Sequence, residues 1–162
     1  MLGEDWEVRN FGASGATMLK KGNKPYWKLE AFQQALDFKP DVVVIKLGTN
    51  DSKPQNWKHG EEFGDDYQSL IKRFKSLESN PDVWVCMPAP VYKDDYGINA
   101  SVVDNEVLSV IKLVKKAERV KLINLYKALS KKAEMFPDGI YPNAEGAKVI
   151  AKKVAQKLKK GA

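Results

Sequence analysis

Asn50 carries the most specific chemistry in this chain. It sits in Gly48-Thr49-Asn50-Asp51-Ser52, directly after the apolar, β-branched run Asp41 to Leu47. Gly48 lets the backbone turn as it leaves a buried strand, so the Asn50 carboxamide becomes a donor held at the sheet edge. A donor fixed there stabilises an oxyanion. A turn whose Asn and Asp satisfy only backbone groups has the same sequence, so both readings stand at this point. His59 is the sole histidine and the one ordinary base for work near neutral pH. It lies in Pro54-Gln55-Asn56-Trp57-Lys58-His59-Gly60, a loop expected over the site, where a histidine is otherwise simply exposed. Trp57, Tyr26, Trp27 and Tyr92 offer either an aromatic rim suited to sugar rings or acyl groups, or parts of the core.

Other chemistries lack their residues. There is no Cys/His metal spacing, no Walker loop and no dinucleotide fingerprint, so neither metal nor cofactor is expected. Asp51, Asp65, Asp66, Asp94 and Asp95 read as caps and solvated loop charges. Cys86 is the only cysteine, so no intramolecular disulfide forms, and its strand-like setting suits a buried small hydrophobe. The net charge of +6 comes largely from lysines of the terminal helix, Lys148 to Lys160, opposite an apolar stripe. With few arginines and no basic-aromatic interleaving, this is a solvated helix face rather than a nucleic-acid surface. No apolar run is long enough to cross a bilayer, and no signal peptide opens the chain as written, so a soluble, cytoplasmic protein is expected.

The elements that must position these groups alternate. Trp6 to Asn10 reads as a first short strand, leading into the Gly-rich turn Phe11 to Thr17. Leu29 to Phe38 is helical and is punctuated by Pro40. Asp41 to Leu47 has the near-continuous apolar character of a parallel strand buried on both faces. Tyr67, Leu70, Ile71, Phe74 and Leu77 recur at helical spacing, and Val83 to Met87 is the third strand. Val103, Val107, Val110, Ile111 and Val114 form the next helical stripe, and Val120 to Leu125 is the fourth strand. The last helix turns Ala147, Ile150, Ala151, Val154 and Leu158 inward. This order predicts a single α/β domain over residues 1–162, a parallel sheet with helices on both faces. The loops after the strands, where such sheets bind ligands, are Gly12 to Thr17, Gly48 to Ser52 and Pro88 to Tyr92.

Three of these segments together resemble the conserved blocks of the SGNH (GDSL-type) ester hydrolases. They are Asn10-Phe11-Gly12-Ala13-Ser14-Gly15-Ala16-Thr17, Gly48-Thr49-Asn50-Asp51 and Asp138-Gly139-Ile140-Tyr141-Pro142-Asn143. The resemblance implies a three-layer α/β/α, flavodoxin-like fold without cofactor, with small-molecule acyl or acetyl esters, on carbohydrates among others, as substrates. Gly15 and Asn50 match the oxyanion-hole donors, and Asp138 matches the acid that orients the catalytic histidine. Tyr141 occupies the histidine position. A phenol donates protons at neutral pH and accepts them poorly. The family's Gly-Asp-Ser block has no counterpart, so the nucleophile and its strand are missing. Ser14, beside Gly15, is the candidate replacement nucleophile, with His59 as its base, although the family residue there is usually a small structural one. Trp57 and Tyr92 are the expected substrate contacts.

In the family the missing strand lies between those matching Trp6–Asn10 and Asp41–Leu47. Its loss leaves two unpaired edges. A homodimer completing the sheet is one expected remedy. The function classes that follow are an ester hydrolase of weak activity, a non-catalytic sugar or acyl binder, and a piece completed by another chain.

Overall fold

The computed structural model describes residues 1–161. Three strands form one parallel sheet in the order β1-β2-β3: β1 is Val42–Ile45, β2 is Asp82–Met87 and β3 is Lys121–Asn124. Val43 stands against Val83, and Val85 against Leu122. The β-branched composition of β1 and β2 suits this pleated, half-covered surface.

The helices are α1 (Glu30–Asp37), α2 (Pro54–Trp57), α3 (Phe63–Lys75), α4 (Ala100–Val102), α5 (Leu108–Ala117), α6 (Leu125–Leu129) and α7 (Ala144–Gly161). A wide π turn over Val103–Val107 joins α4 to α5. One face of the sheet is covered by α1, α3 and α5, whose Leu36, Tyr67, Phe74 and Ile111 pack with Val43, Ile45 and Val85. On the other face α7 brings Leu158, with Ile150 and Val154, against Trp84, Cys86 and Ile123. The three-layer α/β/α arrangement expected from the sequence is therefore present. No helix among the described residues is long and apolar enough to cross a membrane.

Three expectations need correcting. Trp6–Asn10 joins no ladder, because a strand needs a partner and no segment among the described residues lies hydrogen-bonded beside it; Val8 is 70% exposed. Asp41–Leu47 is not buried on both faces. Its strand is shorter, and Val44 at its centre is 37% exposed, since the slot next to β1 is open. In α7, Ala147 and Ala151 face solvent while Ala155 is buried. Alanine gains so little from burial that the branched residues alone decide which face turns inward.

Candidate functional site

The loops that follow β1 and precede α1 meet at one end of the sheet, tied by buried polar side chains. Gly48 leaves β1 at φ +126°, and a Cβ there would stand 2.8 Å from Val107 Cγ1. Only glycine combines that backbone angle with that approach. Two residues on, Asn50 Nδ2 donates to the carbonyl of Ala16 at 3.2 Å. Its Oδ1 is buried with no hydrogen-bond partner among the described residues. Gly15 adopts φ +77°, and its N–H donates to no group among the described residues. Gly15 and Asn50 both border this loop junction: Gly15 keeps a free N–H, whereas Asn50 Nδ2 commits one of its two hydrogens to Ala16 and its unpaired Oδ1 can only accept.

Asp51 holds that junction together. It is fully buried, and its Oδ2 and Oδ1 accept from the backbone N–H groups of Met18 at 3.0 Å and Leu19 at 2.8 Å. Burial pushes its carboxyl up to about 6, while the two N–H donors pull the other way. Asn56, also fully buried, ties the same loop to the next turn: its Nδ2 donates to the Asn50 carbonyl at 2.9 Å and its Oδ1 accepts from Asn23 N–H at 2.8 Å. Ser52 adds a third tie, accepting at Oγ from Asn99 N–H at 3.1 Å. Reading the sequence missed Asn56 and Ser52 as positioning residues. The expectation that Asp51 is a cap holds, but it caps a loop more than thirty positions away rather than its own turn. Asp66 is likewise buried, accepting from Lys20 N–H at 2.8 Å.

Asp138 sits in the loop before α7. Its Oδ1 accepts from Tyr141 N–H at 2.7 Å and Ile140 N–H at 2.9 Å. Those two donors, Tyr141's first, hold its carboxyl below the usual carboxylate range. The turn needs Gly139, at φ +82° with Lys93 backbone nitrogen 2.9 Å from where a Cβ would stand. The Tyr141 side chain is 46% exposed, its ring 6.1 Å from that of Tyr96.

Ser14, Gly15, Asn50 and Tyr141 all line one groove of about 600 Å³ that runs along the free edge of β1. Asp138 does not line the groove. Of the remaining candidates Tyr26 alone borders this groove, and the others lie elsewhere. Trp57 packs on Phe63 at 5.4 Å and donates from Nε1 to Glu106 at 2.9 Å. His59 follows it and does not line the groove. Tyr92 packs on Phe136, donates its hydroxyl to the Leu129 carbonyl and accepts from Lys132 N–H at 3.0 Å. Tyr26 is buried and donates to the Phe11 carbonyl at 3.0 Å, while Trp27 donates to that of Met18 at 2.9 Å. These four aromatics do not assemble into one rim.

A free glycine N–H and a carboxamide thus stand at the carboxyl end of a parallel sheet, and comparison with known proteins decides the ancestry. Residues 1–149 match the model of the GDSL-like Lipase/Acylhydrolase family. The chain belongs to that family. It is 37% identical over 177 aligned residues to an acetylxylan esterase of Xylanibacter ruminicola, covering 98% of this chain and 37% of that protein. It thus spans little more than a third of that relative's length. Among solved structures, an acetyl xylan esterase, AlAXEase, superposes with a TM-score of 0.69 at 24% identity, over 91% of this chain and 78% of that one. That likeness is one of fold. Descent from ester hydrolases acting on acyl esters follows from the family match.

Proposed function

We propose that this family member keeps the oxyanion-binding half of an acyl-ester site and lacks the proton-transfer half, so its own ester turnover is weak. The observation that carries this reading is the meeting of Gly15, Asn50 and Tyr141 on one groove, with the Gly15 N–H free. Asp138 Oδ1 is engaged by the backbone of the Tyr141 turn, and a phenol stands where a base is needed. Ser14 is exposed at the groove, but His59 does not join it there. An unactivated hydroxyl is a poor nucleophile, and isolated oxyanion donors sustain roughly 10³-fold catalysis over water. The substrate class we assign is a small acyl or acetyl ester on a carbohydrate, supported by the two relatives named as acetylxylan esterases.

Hydrolysis of p-nitrophenyl acetate by the chain and by Asn50→Ala tests this. A small rate above buffer that falls about tenfold or more in Asn50→Ala supports a working oxyanion donor. A rate unchanged by that substitution removes Asn50 from the site. A second reading, a non-catalytic binder of a sugar or acyl ester, is favoured by the exposed Tyr96–Tyr141 pair beside the groove. Binding of an acetylated xylo-oligosaccharide without turnover would select it.

A further inference from the structure

The loop between β2 and α4 holds an aromatic residue in a backbone conformation that aromatic residues avoid. Tyr96 stands at φ +49°, and its ring is 60% exposed. A bulky L-residue is strained at that angle, and here no burial of the ring offsets the strain. The ring meets that of Tyr141, itself 46% exposed, at 6.1 Å between centroids and 58° between planes. The turn around Tyr96 is nevertheless fixed. Tyr96 N–H donates to Asp95 Oδ1 at 2.7 Å, Ile98 N–H to the Asp95 carbonyl at 2.8 Å and Ala100 N–H to Asp94 Oδ1 at 2.9 Å. Strain of this kind persists where the surroundings over-determine it, and it gathers at sites that hold ligands.

Those surroundings tie the loop to both parts of the candidate site. On the Asn50 side, Asn99 N–H donates to Ser52 Oγ at 3.1 Å, and the Lys53 side chain lies 3.9 Å from where a Cβ on Gly97 would stand. On the Tyr141 side, Tyr92 N–H donates to the Gly139 carbonyl at 2.8 Å. Ile98 and Ile140 are buried in one small apolar cluster with Val91 and Val103. Tyr96 stands two residues before Ile98, and Tyr141 directly follows Ile140, so the two exposed rings share one base. Tyr141 also lines the groove that holds Gly15 and Asn50.

We infer that Tyr96 and Tyr141 form a stacking platform for one pyranose ring of a carbohydrate ester, with Tyr96 as the residue that selects for the sugar. A pyranose carries C–H bonds on its faces and hydroxyls around its rim. The C–H faces are drawn to the electron-rich faces of aromatic rings, and the hydroxyls need acceptors. Asp94 and Asp95 supply those acceptors: each engages a backbone N–H through Oδ1, and the Oδ2 of each accepts from no donor among the described residues. An acyl chain would need an enclosed apolar wall, whereas these two rings stand open to solvent. A sugar seated on the platform leaves its ester within the groove that Gly15 and Asn50 line. The choice of a sugar rests on the carbohydrate-ester reading above; the strain at Tyr96 and the ties of its loop are independent of it.

The test is an NMR titration of the full chain with unacetylated xylohexaose, which contains no ester, so binding is read apart from turnover. Saturable shifts of the Tyr96 and Tyr141 ring protons are expected, with a Kd of about 0.1–10 mM. Tyr96→Phe keeps the ring and should bind within about threefold of the parent. Tyr96→Asn removes the ring, and asparagine adopts positive φ more readily than tyrosine. That variant should melt at or above the parent's temperature and bind at least about tenfold more weakly. No saturable shifts, shifts confined to other residues, or equal binding by Tyr96→Asn overturns the inference. So does a Tyr96→Asn protein that melts several degrees lower, since the ring would then be serving the fold. Xylohexaose binding by a chain whose p-nitrophenyl acetate rate ignores Asn50→Ala would keep the platform and remove the oxyanion reading. A rate that falls in Asn50→Ala, in a chain that binds no xylohexaose, would do the reverse.

Discussion

Replacing Asp51 by asparagine separates two opposed effects that meet at one buried carboxylate. The Asp51 oxygens accept from Met18 and Leu19 N–H at 3.0 and 2.8 Å. An asparagine accepts one of those bonds and turns its NH₂ toward the other donor, stranding a buried N–H at a cost of about 1–3 kcal/mol. The opposing effect is relief of burial. Folding lifts the Asp51 carboxyl from 3.8 to about 6. The folded state then binds this proton more tightly than the unfolded chain, so the group's contribution to stability is greatest below about pH 4. It falls as pH rises to about 6. Two units at 1.36 kcal/mol each make the ionised form cost about 3 kcal/mol at neutral pH. Asp51→Asn abolishes that cost together with the bond. Its net effect near pH 7 is therefore small, within about 2 kcal/mol of zero, whereas at pH 4.5 the lost bond dominates. Urea unfolding of both proteins should show the variant's relative stability worsening by roughly 2 kcal/mol from pH 7 to pH 4.5. A relative stability that stays level, or improves on acidification, would refute the assignment of Asp51 as a carboxylate ionised against its burial.

Further outcomes follow from neighbouring geometry. Gly139→Ala forces a side chain onto the Lys93 backbone at positive φ and should destabilise the protein by about 1–3 kcal/mol, seen as a lower urea midpoint. Asn56→Ala strands Asn23 N–H and the Asn50 carbonyl; a loss of about 2–4 kcal/mol in urea unfolding is expected, and a loss below about 0.5 kcal/mol would contradict it. Asp138 is held ionised by two backbone donors, so the order of the 138–141 turn is present above the ordinary carboxylate range and is lost as pH falls through the depressed value. Amide exchange at Ile140 and Tyr141 should accelerate there, and should be fast at every pH in Asp138→Ala. Cys86, fully buried with its thiol pushed up to about 12 by burial, should react with a thiol reagent only on unfolding, at the rate of global opening.

The readable part of the fold was whatever depends on local pattern. The Val-Val-Val-Ile of β1, the apolar run of β2 and the stripes of α3 and α5 all formed where their periodicity placed them. What depends on a neighbour's presence was not readable. A strand meant for burial and a strand waiting beside an open slot have the same composition, so the exposure of Val44 left no signal in the residues around it. Trp6–Asn10 reads as a strand by type, but pairing is a property of two segments, and its neighbour is not there. The same limit applied at the site. Asn50 announced itself as an asparagine in a glycine turn after the apolar run of β1, and Gly15 only through its match to a conserved block of the family. Asp51 and Asn56 did not, because their partners at Met18, Leu19 and Asn23 are distant in sequence and an acidic turn residue ordinarily faces water. Trp57 and Tyr92 show how an aromatic near a loop can be spent on packing and on capping backbone groups.

The most direct test of the account is the initial rate of p-nitrophenyl acetate hydrolysis by the purified chain beside its Ser14→Ala form. A rate no more than about 10³-fold above water, the same in both proteins, is the result expected of oxyanion donors without an activated nucleophile. A rate well above that, abolished by Ser14→Ala, would show a working nucleophile and base in the groove and contradict the claim that its proton-transfer half is missing.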